Sequence, residues 1–301
     1  TWVEKRRKEL EAELLLPALS SLERSRGVKL QAPEYLEGLI ALYRDRADEA
    51  REKAAAARKK QPWLYEAEEL SGDAYAAQGL AAKSSGQTAA AKQALEAAVK
   101  HYELAATIGR SDGRLYEKAA EILLRISEID RETGTPMEPT LERARALADQ
   151  AITAAPRRAT GYTKKAYALF FLTCVYGNTD RDPTALVQQL INISEQATAI
   201  DPTNGYAYDA MGDGLGCLGI YERAKGHDPI PIFAQAMDKL RKAAEVMPRF
   251  PWAYNDFGVA YINSLLERGK REPLADSDVR SAEKWILKAT ELDADYLYPL
   301  N

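Results

Sequence analysis

The chain has 301 residues, a formal net charge of −4 and 29% charged residues. A slightly acidic balance lacks the basic stripe of a dedicated nucleic-acid binder, so nucleic acid is not expected as a partner. The two cysteines, Cys174 and Cys217, make no disulfide framework, which points to a reducing compartment and a cytoplasmic location. No secretory signal is visible, and the densest apolar stretch, AYALFFLTCVY (166–176), is shorter than the roughly 20 residues needed to span a bilayer. Membrane insertion is therefore not expected. Strong helix formers dominate long stretches, and strict alternation of Val, Ile and Thr is missing, so the predicted elements are helices.

Residues 1–31, TWVEKRRKELEAELLLPALSSLERSRGVKLQ, read as one or two charged amphipathic helices interrupted near Pro17. They are expected as an N-terminal cap or linker, or as the tail of an upstream domain. Residues 33–64 follow, with Gly38 and Ala50 at compact spacing and no obvious breaker between them. A period then takes over. Pro156, Pro202 and Pro248 stand 46 residues apart; Arg110 and Ala294 take the same place one step earlier and one later, and Pro62 lies 48 before Arg110. The units this defines are about 33–64, 65–112, 113–158, 159–204, 205–250 and 251–296. The chain starts at Thr1 and DYLYPLN (295–301) opens a further unit, as expected of a piece cut from a longer protein.

Two features travel with the period. Small or apolar residues precede each end point at intervals of four and three: Ala50, Ala54, Ala57; Ala98, Tyr102, Ala105; Ala144, Ala148, Ala151; Ala236, Leu240, Ala243; Ala282, Ile286, Ala289. Leu190, Ser194 and Ala197 fit less well. Those intervals place each set on one helical stripe. Ten residues beyond each end point comes a small residue, Gly72, Ala120, Ala166, Gly212 or Gly258. Four before it stands a ring in most copies (Tyr116, Tyr162, Tyr208, Tyr254), with Glu68 as the exception. A mid-helix glycine costs about 1 kcal/mol against alanine, so a close helix–helix approach is the expected compensation. Each unit thus reads as two antiparallel helices.

YAYDAMGDGL (206–215) with AMDKLRKAAEVMP (236–248), and PWAYNDFGVAY (251–261), resemble the tetratricopeptide repeat (TPR) family. The resemblance implies an all-α, right-handed solenoid of antiparallel helix pairs with a concave, partner-binding groove. The family repeat is about 34 residues, and the extra dozen here fall between the two helices of a unit. They are expected as long intra-repeat loops or extended helix ends, with helix starts at Glu138-Pro139-Thr140, Asp182-Pro183, Asp228-Pro229 and Asp276. YLEGLIALYRDRADEA followed by QPWLYEAEELSGDAY is similar, more weakly, to the TPR tails of large bacterial serine/threonine kinases. That likeness implies a bacterial signalling context.

No catalytic constellation emerges, so the chain is not expected to be an enzyme, and no cofactor or metal is expected. His101 and His227 are far apart in sequence and make no ligand cluster. GLGCLG (214–219) satisfies G-x-G-x-x-G but lies inside a helix rather than after a strand, which argues against a dinucleotide site. A tightly packed helix end or a hinge is the plainer explanation. Asp209 and Asp213, like Glu69 and Asp73, have i, i+4 spacing; a solvated face is the default, and groove acids that attract a basic segment are the sharper reading. The inner face is expected to carry Tyr167, Phe170, Tyr206, Asp209, Asp213, Trp252, Asn255 and Val259, with Thr163, Phe171, Cys217 and Ile262 nearby. Phe170 and Phe171 serve equally well as core. Co-chaperone members of the family clamp a terminal carboxylate with Lys and Asn. The matching places here hold Thr163/Tyr167, Asp209/Asp213 and Asn255/Val259 without lysine, which argues against that ligand. Cys174 and Cys217 fall on adjacent helices, where free buried thiols are the default. A protein or peptide is the expected partner, with self-association or small-molecule or nucleotide sensing, the latter resting on GLGCLG and the large loops, as alternatives.

Overall fold

The computed structural model describes residues 8–9, 11–25 and 32–293. Much of the 1–31 segment and all of 294–301 therefore lie outside the described residues, as does the further unit expected from DYLYPLN. Every regular element among the described residues is helical. A π-helical turn, Glu11–Leu15, leads into α1 (Leu16–Ser25). Then come α2 (Pro33–Tyr43), α3 (Ala47–Lys60), α4 (Tyr65–Ser84), α5 (Thr88–Ile108) and α6 (Gly113–Glu132). They are followed by α7 (Glu138–Ala154), α8 (Ala159–Asn178), α9 (Thr184–Ile200), α10 (Gly205–Ala224), α11 (Ile230–Val246), α12 (Pro251–Arg268) and α13 (Asp276–Leu292). The chain forms two compact parts, Thr1–Ile129 and Asp130–Asn301.

In the N-terminal part, α2 packs on α3, α3 on α4 and α4 on α5. In the C-terminal part, α8 pairs with α9, α10 with α11 and α12 with α13, while α8 also meets α10, and α10 meets α12. The first helices of successive pairs are thus neighbours and share one face.

The extra residues of each period lengthen helices. α4 has 20 residues and α5 has 21, joined by Ser85–Gln87 alone. α8 and α10 have 20 residues each, and their partners α9 and α11 have 17. The connections 133–137, 179–183 and 225–229 are short, so the long intra-repeat loops expected above are absent there. The reason is local chemistry. Gly86, Gly134, Asp180 and Gly226 have φ of 72, 70, 60 and 81° and end their helices in the left-handed conformation. The amides of the next residues, Gln87, Thr135, Arg181 and His227, donate to Ala82, Asp130, Tyr176 and Glu222 carbonyls at 2.8–3.0 Å. These are Schellman closures, which stop a helix within two residues. Asp45, with φ of 58°, ends α2 in the same way, supplying the breaker that the 33–64 sequence did not reveal. Asp182 and Asp228 then start the next helices by accepting from the amides of Thr184 (2.9 Å) and Ile230 (3.1 Å).

The periodic small residues sit where the two helices of a pair touch. A Cβ on Gly72 would lie 2.6 Å from Tyr102 Cε1, one on Gly212 2.3 Å from Leu240 Cγ, and one on Gly258 2.4 Å from Ile286 Cγ1. Tyr102, Leu240 and Ile286 are the central members of the second-helix stripes, and their flanking alanines are buried. Ala120 and Ala166 are buried at the same register. Pro62, Pro156, Pro202 and Pro248 occupy the turns between pairs. Tyr162 and Tyr254 donate their hydroxyls to the carbonyls of Pro156 (3.1 Å) and Pro248 (3.2 Å), tying ring to turn. Glu68, in place of a ring, is buried and bonds Arg58 and His101.

Gly212→Ala is expected to destabilise the chain by about 1–2 kcal/mol, because overpacking against Leu240 exceeds the gain in helix propensity. Gly216→Ala, whose Cβ meets nothing within 4 Å, is expected to stabilise by about 0.5–1 kcal/mol. Urea unfolding of the two variants checks the pair; equal signs would remove the close-approach explanation.

Candidate functional site

The first helices of the C-terminal part carry their inner-face residues in three stripes. α8 contributes Thr163, Tyr167, Phe170 and Cys174; α10 contributes Tyr206, Asp209, Asp213, Gly216 and Ile220; α12 contributes Trp252, Asp256, Val259 and Asn263. Steps of three and four along each helix hold a stripe on one side. A cavity of about 190 Å³ lies among them, lined by Phe170, Cys174, Asp213, Gly216, Ile220, Asp256, Val259 and Asn263, with Gly212, Cys217, Phe233, Leu240 and Ala260 completing the wall.

One carboxylate oxygen from each of Asp209, Asp213 and Asp256 lies within 4.8 Å of the others. Asp209 is fully buried. Its Oδ2 accepts from the Tyr167 hydroxyl at 2.9 Å, whereas its Oδ1 is buried with no hydrogen-bond partner. Asp256 Oδ1 accepts from Asn255 Nδ2 at 2.8 Å. Among the described residues no Lys, Arg or His pairs with the three acids. Arg223, on α10, is engaged by Asn263 Oδ1 (2.8 Å) and Glu267 (3.8 Å) instead. Burial and the charge on Asp256 push Asp209 well above the ordinary carboxylate range, against the Tyr167 hydrogen bond. Burial, Asp256 and Asp209 do the same to Asp213. Burial pushes Asp256 up to about 7, against the Asn255 hydrogen bond. Three like charges in a partly dry site resist simultaneous ionisation.

The expected site residues fall in two groups. Tyr167, Phe170, Asp209, Asp213, Asn255 and Val259 come together at or beside the cavity. Phe170 is half-buried against Phe171, ring centroids 4.7 Å apart, and also lines the cavity, so it serves both readings. Tyr206 and Trp252 lie one to two turns away, 45% and 36% exposed, each against the Phe250 ring (centroids 4.8 and 6.1 Å away). Asn255 is buried and positions Asp256. The default of a solvated face for Asp209 and Asp213 is overturned: Asp209 has no exposure and Asp213 is half-buried, because α12 packs against α10 at that level. GLGCLG lies within α10. Gly214 and Gly219 face Leu190 and Phe233, and Gly216 opens onto the cavity.

The free-thiol expectation is also overturned. Cys174 and Cys217 are bonded, S–S 2.01 Å with Cα atoms 5.3 Å apart, and both line the cavity. Neighbouring first helices bring together two residues 43 apart in sequence, close to one period. The cystine removes the argument for a reducing compartment that two unpaired thiols supplied. His101 and His227 are each held by a glutamate, Glu68 (2.7 Å) and Glu222 respectively. Sequence reasoning missed Asp256. It stands two residues before Gly258, at the register of Lys118 before Ala120, and that comparison would have found it.

Among solved structures, the APC/C hetero-tetramer Cut9–Hcn1 aligns with 93% of this chain and 44% of its own, at 12% identity and TM-score 0.51. The chain has the tetratricopeptide-type fold. Two further TPR proteins align less closely in shape. YrrB, described as having an unusual peptide-binding site, covers 82% of this chain and 95% of its own at 15% identity and TM-score 0.39. TTC0263 of Thermus thermophilus covers 76% and 97% at 16% identity and TM-score 0.42. No protein-family profile and no curated protein sequence matches the chain. Among the described residues, no helix of this TPR-type chain is long and apolar enough to cross a membrane.

The acid cluster sets a sign for pH dependence. An unfolded Asp titrates near 4, so between about pH 4 and 7 the folded chain keeps a proton that the unfolded chain releases. Stability from this group is present below that window and lost as pH rises through it. Asp256→Asn is expected to stabilise the chain at pH 8 by on the order of 1–2 kcal/mol and to match the parent at pH 4. Urea unfolding at both pH values checks this; an equal difference at both would show that charge is not the cause.

Proposed function

We propose that the chain is a non-catalytic interaction scaffold that binds a protein or peptide segment across the α8–α10–α12 face. The observation that carries this reading is the row of exposed apolar side chains there: Tyr206, Ile220, Trp252, Val259 and Ile262 all remain 36–45% exposed. Aromatic anchors beside a small pocket are what dominate binding energy at protein interfaces. A cavity of about 190 Å³ is smaller than the roughly 300–1,000 Å³ typical of small-molecule sites, and suits a single side chain. Nucleotide sensing has no support, since G-x-G-x-x-G lies mid-helix. In its finer form the scaffold regulates an adjoining signalling domain, such as a bacterial serine/threonine kinase. The support for that form is the 35–50 and 61–75 sequence likeness alone.

Peptides selected on the parent from a random display library are expected to lose at least tenfold in affinity for the Tyr206→Ala/Trp252→Ala variant, with helicity by circular dichroism unchanged. Undiminished binding to the double variant would rule out this face.

A further inference from the structure

The periodic fold allows one part of the chain to be read against another. In the N-terminal part, Glu69 and Asp73 on α4 stand three before and one after the small residue Gly72. The next first helix, α6, sends Lys118 to them: its Nζ lies 2.7 Å from Glu69 Oε1 and 2.8 Å from Asp73 Oδ1. Asp73 also accepts from the Tyr102 hydroxyl at 2.7 Å, and the ammonium stands over the Tyr102 ring, 5.6 Å from its centroid. Burial pulls Lys118 down, but the two acids outweigh it and hold the ammonium above its usual range.

Asp209 and Asp213 hold the same two places around Gly212 on α10. The residue of α12 that takes the Lys118 place, two before the small residue, is Asp256. Where one pair of acids is neutralised from within the chain, the other meets a third acid. The Asp209 Oδ1 is left buried and unbonded, and no basic side chain among the described residues reaches the cluster. Beside the acids the wall is apolar, built by Phe170, Ile220, Val259 and the Cys174–Cys217 bond. Gly216 keeps that wall open at a position where no neighbour demands a glycine.

We propose that the Asp209–Asp213–Asp256 pocket takes a primary ammonium on an aliphatic stem: a lysine side chain of the polypeptide bound on this face, standing where Lys118 stands in the N-terminal part. This rests on the scaffold reading for the source of the lysine, but not for the pocket's chemistry. The apolar wall fits four methylenes, and the acids fit the head. A hydrated divalent ion prefers oxygen ligands all round, and here one side of the site is hydrocarbon. The polar groups that line the pocket are Asp213 from α10 and Asp256 and Asn263 from α12. Asp209 stands within carboxylate reach of both acids, with Tyr167 from α8 bonded to Asp209 and Asn255 bonded to Asp256.

The test titrates the full chain with n-butylammonium, n-butanol, Mg²⁺ and Ca²⁺ at constant ionic strength, following backbone amide shifts by NMR. n-Butylammonium is expected to move amides of residues 212–217 and 256–263. Its affinity should fall at least tenfold in Asp213→Asn/Asp256→Asn, a variant that relieves repulsion and keeps the fold. n-Butanol is expected to bind at least tenfold more weakly. Library-selected peptides should lose at least tenfold on replacing their lysine with norleucine. Ammonium binding without any peptide capture supports the pocket assignment and sinks the scaffold reading. Peptide capture that depends on Trp252 and Tyr206 but ignores both the acid variant and norleucine overturns the lysine pocket and leaves the scaffold. Tight Mg²⁺ or Ca²⁺ binding that displaces the amine overturns it in favour of a metal site, and no response to any probe overturns it outright.

Discussion

The close approach of paired helices at one small residue per pair is the constraint on which the rest of the structure depends. At Gly72, Gly212 and Gly258 the partner helix fills the volume a methyl group would take. That contact sets the depth of each pair and the rotation of its first helix. Once rotation is set, the residues three before and one after the small residue must face the next first helix. The same geometry therefore recurs with different chemistry: Glu69 and Asp73 meet Lys118, and Asp209 and Asp213 meet Asp256.

Repetition makes the acid cluster interpretable. A group of carboxylates on a protein surface is ordinary. A group placed where another copy of the same contact holds an internal ion pair, with one oxygen buried and unbonded, is a charge imbalance built into the fold. Burying uncompensated like charge is unfavourable unless protons or a cation offset it. The raised titration of Asp209, Asp213 and Asp256 is the proton side of that balance. A partner's ammonium would be the other.

The lengthened period has a similar local origin. The residues beyond the family repeat, about a dozen per unit, read in sequence as loops or as extended helix ends, because Gly, Pro and charged residues cluster there. In the structure only three to five of them connect helices in most pairs, since a single left-handed residue and its Schellman bond suffice for the reversal. The rest extend the helices, deepen the face and make room for a cavity between α8, α10 and α12.

The sequence by itself determined the all-helical class, the 46-residue phase, the small-residue contacts and the face to which Tyr167, Asp209, Trp252 and Val259 belong. All of these follow from spacing along one helix, where about 3.6 residues per turn convert position into direction. Only the tertiary structure decided the burial of Asp209, the meeting of Asp213 with Asp256 and the Cys174–Cys217 bond. Each depends on the offset between neighbouring first helices about one period apart in the chain, a separation over which periodicity gives the face but not the partner atom.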